Sequence, residues 1–241
     1  MHIPDGYLGP HTYIAFWLIM IPIWYHAGKV LTAELKSRQV PLLALSAAFS
    51  FVIMMFNVPI PGGSTGHAVG GAIISTIIGP WAALIAISVT LVLQALIFGD
   101  GGITAIAANC FNMGLVVPFV AYYAYKLISG NSKITSSTRV IAAGIAGWLS
   151  LTAASFCAGF ELGLQPILER TAEGVPLYMP YTLSVTIPAM VLEHAFAFSI
   201  LEALITAVIF AYIQRTDASV FYGEKSDAEI DRTEKISGIT T

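Results

Sequence analysis

Apolar residues run in long stretches along this chain, and polar positions gather in short clusters between them. A bilayer-spanning helix needs about 20 apolar residues, because ~30 Å of hydrocarbon is crossed at ~1.5 Å per residue. Runs of that order, bounded by charge, Pro or Gly, predict seven spans near 11–28, 40–58, 67–79, 80–98, 104–128, 139–163 and 187–213. The segment PIPGGSTG at 59–66 separates the second from the third, Gly79-Pro80 splits the third from the fourth, and Asp100-Gly101-Gly102 closes the fourth.

The third run is short, and by length alone it also fits a re-entrant hairpin. Positive charge arbitrates, since cytoplasmic loops collect Lys and Arg. Seven crossings with the N-terminus outside place Lys29, Lys36, Arg38, Lys126, Lys133, Arg139, Arg215, Lys225, Arg232 and Lys235 inside and leave Arg170 alone outside. Moving any crossing spoils that split, so parity favours a true third span.

Composition agrees. Of 241 residues, 56% are hydrophobic and 10% charged, against roughly 25% charged in a soluble domain, which excludes a water-facing globule. A net charge of −3 excludes binding to nucleic acid by phosphate neutralisation, and two cysteines exclude a disulfide scaffold. No GxxxxGK[ST] motif is present, so P-loop ATP hydrolysis is not expected. No cleavable signal peptide is expected either. The fold class is therefore an all-α membrane protein, with residues 1–216 as one transmembrane domain and a polar, disordered cytosolic tail at 217–241.

Sorting the scarce polar residues by side gives a candidate site. Met1-His2-Ile3-Pro4-Asp5-Gly6 and the loop leading to His67 meet at the outer face. Histidine is too large a second residue for Met1 to be trimmed, so the α-amine stays. That amine, the His2 backbone nitrogen and His2 Nδ1 close fused five- and six-membered chelate rings that are nearly planar. A fourth nitrogen from His67 completes a square, a geometry that suits Ni(II) or Cu(II) over Zn(II). Asp5 is placed to accept from an imidazole N–H. The bland alternative is a frayed terminus with His67 as an interfacial cap.

Gln94, Asn109 and Asn112 lie near the same face and fit either support of His2 and His67 or ordinary interhelical bonding. Glu193, His194 and Glu202 are ionisable residues inside the seventh span, a pattern that raises an intramembrane enzyme or passive ion channel as the alternative function. A satisfied buried pair, or contact with a partner subunit, is the preferred reading, with His194 too deep to join the square and no matching ladder of acids on the other spans. His11 reads as helix-start polarity or a ligand at the way in, and His26 as remote. Cys110 and Cys157 lack CxxC spacing. The Gly66–Gly71 and Gly144–Gly147 patches read as close helix packing within the chain.

The opening MHIPDGYL, the segment VPIPGGSTGHAVGG at 58–71 and the segment LVLQALIFGDGGITAIAANCFNMG at 91–114 resemble the CbiM/NikM family, the substrate-capture components of energy-coupling-factor transporters for cobalt and nickel. The resemblance implies a six-helix core with an added N-terminal helix. It implies Met1, His2 and His67 as the nitrogen ligands of a transported Ni(II) or Co(II) ion, with no prosthetic group. It further implies two cytosolic ATP-binding subunits, a transmembrane coupling subunit and often a small accessory membrane protein as partners, in a prokaryotic cell membrane.

Overall fold

The computed structural model describes residues 1–34 and 40–223. Among the described residues there are seven helical segments: α1 (Pro10–Glu34), α2 (Val40–Met54), α3 (Gly71–Ile78), α4 (Pro80–Phe98), α5 (Ile106–Ser129), α6 (Ser137–Leu168) and α7 (Leu183–Thr216). A two-stranded hairpin, β1 (Val58–Pro59) against β2 (Thr65–Gly66), lies between α2 and α3.

The seven apolar runs thus map onto seven helices, but the lengths differ from expectation. Five helices (α1, α4, α5, α6 and α7) are long and apolar enough to cross a membrane. With 15 residues α2 reaches only ~22 Å, and the 8 residues of α3 reach ~12 Å. The expected third span is shortened because residues 67–70 leave the hairpin as irregular backbone before the helix begins. It ends at Gly79, whose φ of 82° favours glycine, and Pro80 then starts α4 at a position where no amide hydrogen is needed.

The long helix α6 is central, with α5 along one side and α7 along the other. Small residues set how closely they approach. A Cβ built on Gly163 falls 2.4 Å from Thr186 Oγ1 and 2.7 Å from Leu183 Cα, and one on Gly159 falls 2.9 Å from the Thr186 carbonyl oxygen. Gly144 and Gly147 face Ala203, Thr206 and Ala207 of α7, while Gly66, Gly70 and Gly71 face Phe198, Phe49 and Val117. Both glycine patches therefore serve packing within the chain, as the sequence suggests. Helix α1 leans on the outside of the bundle, tied by Trp24 Nε1 donating to Ser88 Oγ (3.0 Å) and Trp17 Nε1 donating to the Thr104 carbonyl (3.1 Å).

Three helices contain wide π turns: Gln94–Phe98 in α4, Cys110–Val116 in α5 and His194–Phe198 in α7. Lys126, Arg139 and Arg215 cluster at the opposite end of the bundle from the N-terminus, where Arg139 Nη1 donates to Tyr125 Oη (3.0 Å) and Lys126 Nζ donates to the Gly223 carbonyl (3.4 Å). Lys36, Arg38, Lys225, Arg232 and Lys235 lie outside the described residues. The tail expected to be disordered from Asp217 begins with seven described residues, of which Phe221 is buried. Phe221 stacks on Phe210 at 4.1 Å between ring centroids, and the Tyr222 amide donates to the Thr76 carbonyl at 2.8 Å. The rest of that tail lies outside the described residues.

Filling the α6–α7 contact is expected to be costly. Gly163→Val should destabilise the fold by about 1–3 kcal/mol through overpacking, read as a lower thermal unfolding midpoint in detergent. Gly28→Val, at a glycine with open space around it, should leave the midpoint near that of the unaltered protein.

Candidate metal centre

The first three residues thread into the bundle, although short exposed termini usually fray. Met1 and Ile3 are fully buried, and His2 and Leu8 nearly so. What holds them is mostly backbone recognition by side chains. Asn109 Oδ1 accepts from the Ile3 amide at 2.8 Å and Asn109 Nδ2 donates to the Ile3 carbonyl at 3.1 Å, so one carboxamide imitates a neighbouring strand. The Gly102 amide also donates to the Ile3 carbonyl at 2.9 Å. Further along, the Gly9 amide donates to Gln165 Oε1 at 2.9 Å.

The β1–β2 hairpin receives the terminus from the other side. The Met1 amine donates to the Thr65 carbonyl and, at 3.1 Å, to Thr65 Oγ1; the His2 amide reaches the same hydroxyl at 3.2 Å. Ser64 Oγ donates to the His2 carbonyl. Two nitrogens of the expected chelate therefore converge on one oxygen atom.

The imidazoles of His2 and His67 lie side by side, with ring centroids 4.7 Å apart. His2 Nε2 pairs with Gln94 Oε1 at 3.0 Å, and a carboxamide oxygen only accepts, so the proton sits on Nε2 and Nδ1 keeps a bare lone pair. His67 Nδ1 pairs with the Ala68 carbonyl at 3.0 Å, which by the same logic leaves Nε2 bare. Both bare nitrogens are buried without a hydrogen-bond partner. Buried polar atoms are rarely left so, which makes these two the chemically conspicuous atoms of the site.

Burial disfavours protonation of the donors. Burial drives the Met1 amine well below its ordinary 8.0, with Asp100 pulling weakly the other way. Burial, followed by repulsion from the amine, takes His2 from 6.5 down to about 3. Burial pushes the Asp100 carboxyl up, opposed by the amine and by a hydrogen bond from Asn57 Nδ2 (3.0 Å). Among the described residues no group of three or more His, Cys, Asp or Glu side chains is placed to hold a metal.

The other sequence candidates divide. Gln94 and Asn109 support His2 and the inserted segment. Asn112 does not: its Nδ2 donates to Glu161 Oε2 at 2.9 Å, inside the bundle. Asp5 does not reach an imidazole, because it accepts from the Ile103 amide (3.0 Å), the Thr104 amide (2.9 Å) and the Thr104 hydroxyl, fastening the 99–104 turn over the terminus. Glu193 and His194 form no buried pair, since Glu193 is exposed and His194 is buried. His194 Nδ1 meets the Met190 carbonyl at 2.7 Å, its Nε2 has no hydrogen-bond partner, and it lies within electrostatic reach of both His67 and the Met1 amine. It is thus nearer the site than depth along the sequence suggests.

Glu202 accepts from the amides of Val69 and Gly70 (2.8 Å each) and Ala72 (3.3 Å), which clamps the backbone just after His67. Another span carries a buried acid, Glu161 in α6. His11 pairs with Glu169 at 2.7 Å, in keeping with helix-start polarity, and His26 lies against the Trp81 ring. Both cysteines are free. Sequence reasoning missed Thr65, Asp100 and Glu202 as participants. A signal for Asp100 was available, an acid flanked by glycines in a turn at the same face as His2.

Comparison with known proteins places this arrangement in context. The family described as the cobalt uptake substrate-specific transmembrane region, CbiM, matches residues 2–220. A fused nickel transport protein NikMN of Rhodobacter capsulatus is 47% identical over 232 residues, which is 96% of this chain and 67% of that protein. Crystal structures of a transition metal transporter and of a truncated transition metal transporter superpose with TM-scores of 0.87 and 0.86 at 45% and 44% identity. Each covers 90% of this chain, and the match takes in 94% and 99% of theirs. With its buried terminus, paired histidines and multi-pass helical body, this chain belongs to the CbiM family.

Proposed function

We propose that this chain is the capture subunit of an ATP-driven uptake system for Ni(II) or Co(II). It holds the ion as cargo in a square of four nitrogens: the Met1 amine, the His2 backbone nitrogen, His2 Nδ1 and His67 Nε2. One observation carries the reading. The two imidazole nitrogens that the square requires are those left bare by hydrogen bonds on the opposite ring atoms, beside an amine whose pKa burial lowers. A planar set of strong-field nitrogens suits d⁸ Ni(II), and the family and relative are named for cobalt and nickel respectively.

In this reading the chain crosses the cell membrane seven times, with α2 and α3 completing their crossings through adjoining irregular backbone. The N-terminus and site face outward and the basic end faces the cytoplasm. Energy comes from two cytosolic ATP-binding subunits, coupled through a transmembrane subunit and aided by a small accessory membrane protein. An enzyme or channel built on Glu193, His194 and Glu202 is disfavoured, because Glu193 points away and the Glu202 carboxylate is occupied by backbone amides.

Adding one glycine before Met1 breaks the fused rings. It is expected to abolish the low-spin Ni(II) absorption and to weaken binding by more than the roughly 100-fold that losing an outer partner causes; unaltered uptake by the extended protein would refute the chelate. His67→Ala should likewise lose metal while the apo protein still folds, with a stability loss of about 0.5–3 kcal/mol at this buried position.

The apo site also makes a pH prediction. The amine and His2 are harder to protonate folded than unfolded, so their docking contributes fully above about 8, weakens as pH falls through 8.0 and 6.5, and is lost towards about 3. Protection of residues 1–9 from hydrogen exchange should be higher at pH 8 than at pH 5, and equal protection contradicts the buried neutral terminus.

A further inference from the structure

Three carboxylates border the site, and their partners assign them different work. Asp5 is saturated by the 103–104 backbone and hydroxyl, and Glu202 by the amides after His67. Asp100 differs. Its backbone amide donates to the Gln94 carbonyl (3.0 Å), and Asn57 holds Oδ2 at 3.0 Å. That leaves Oδ1 facing His2 Nδ1 at 3.6 Å, too far for a hydrogen bond and near enough to act on a cation held at that nitrogen. The same carboxylate attracts the Met1 amine. Its side chain is 20% exposed against 2% for His2, so it spans from the buried donors to the surface.

Charge counting shows what such a group supplies. In the proposed square the amine and both imidazoles are neutral and the deprotonated amide carries one negative charge. A divalent ion there leaves one positive charge uncompensated at a centre whose ligand residues are almost wholly buried. An unpaired buried charge is strongly unfavourable, and one nearby anion removes most of that cost.

We infer that Asp100 is the counter-charge of the cargo site: an outer-sphere carboxylate, not a ligand, that neutralises the divalent ion bound by the amine, amidate and two imidazoles and thereby sets affinity. The assignment rests on the square-planar reading. It makes Asp100 a positioning and charge-setting residue whose fixed distance from His2 depends on Asn57 and the Gln94 backbone.

The test is a chelator-competition titration with Ni(II) on the full chain in detergent, starting at the authentic Met1. Asp100→Asn keeps size and hydrogen bonding and removes the charge; Asp100→Ser is a second neutral variant if the first does not fold. The expected result is roughly 10–100-fold weaker Ni(II) binding with the low-spin absorption retained, and recovery of most of the affinity in Asp100→Glu. Wild-type affinity in the neutral variants overturns the proposal. So does loss of the low-spin absorption together with the affinity, which marks a structural role. An unaltered protein that binds Ni(II) without a low-spin spectrum overturns the square itself, and this inference with it.

Discussion

The site depends on burying the chain terminus. A free α-amine is ordinarily protonated and hydrated, and a segment that ends in one gains little by entering a protein. Here the Asn109 carboxamide meets both polar atoms of the Ile3 peptide, the hairpin meets the amine and the His2 amide, and the side chains of Met1, Ile3 and Leu8 are removed from water. Backbone groups that enter such an interior must be satisfied. Residues 1–9 meet that requirement with partners from the hairpin, from the turn after α4, and from α5 and α6.

This arrangement separates the parts that hold from the parts that bind. Gln94 and the Ala68 carbonyl each take one ring nitrogen and so leave the other available, which prepares two imidazoles without touching the atoms that would meet the ion. Glu202 fixes the loop behind His67 from α7, a helix that contributes no donor to the proposed square. A binding group whose tautomer and position are set in advance loses little on engagement.

Much of the fold was legible because hydropathy records lipid exposure directly. The helices α1, α4, α5, α6 and α7 coincide with apolar runs, and the pairing of the terminus with His67 followed from sidedness and chelate ring size. The length of α3 was not legible from hydropathy, since residues 68–74 are uncharged and give no contrast between the helix and the irregular backbone of 67–70. The exposure of Glu193 depends on helix rotation, which a run apolar on all sides does not reveal. Asn112 and Asp5 were read by proximity to the site in sequence, and each is claimed by a nearer partner: Glu161 for one, the 103–104 backbone for the other.

The wide turns in α4, α5 and α7 also affect how the two ends of the bundle can change. Each π turn inserts an extra residue into its helix, and one residue advances an α-helix by about 100°. Gln94 and His194 open two of these turns, and Asn109 immediately precedes the third. The azimuth of each helix is therefore reset at the level of the site. Downstream of that level, the stripe each helix presents to lipid or to a neighbour is phased independently of the residues that grip the terminus. Deleting one residue within such a turn would restore a regular helix with its two halves still in phase, whereas the same deletion in a regular stretch would swing the far half by a quarter-turn or so.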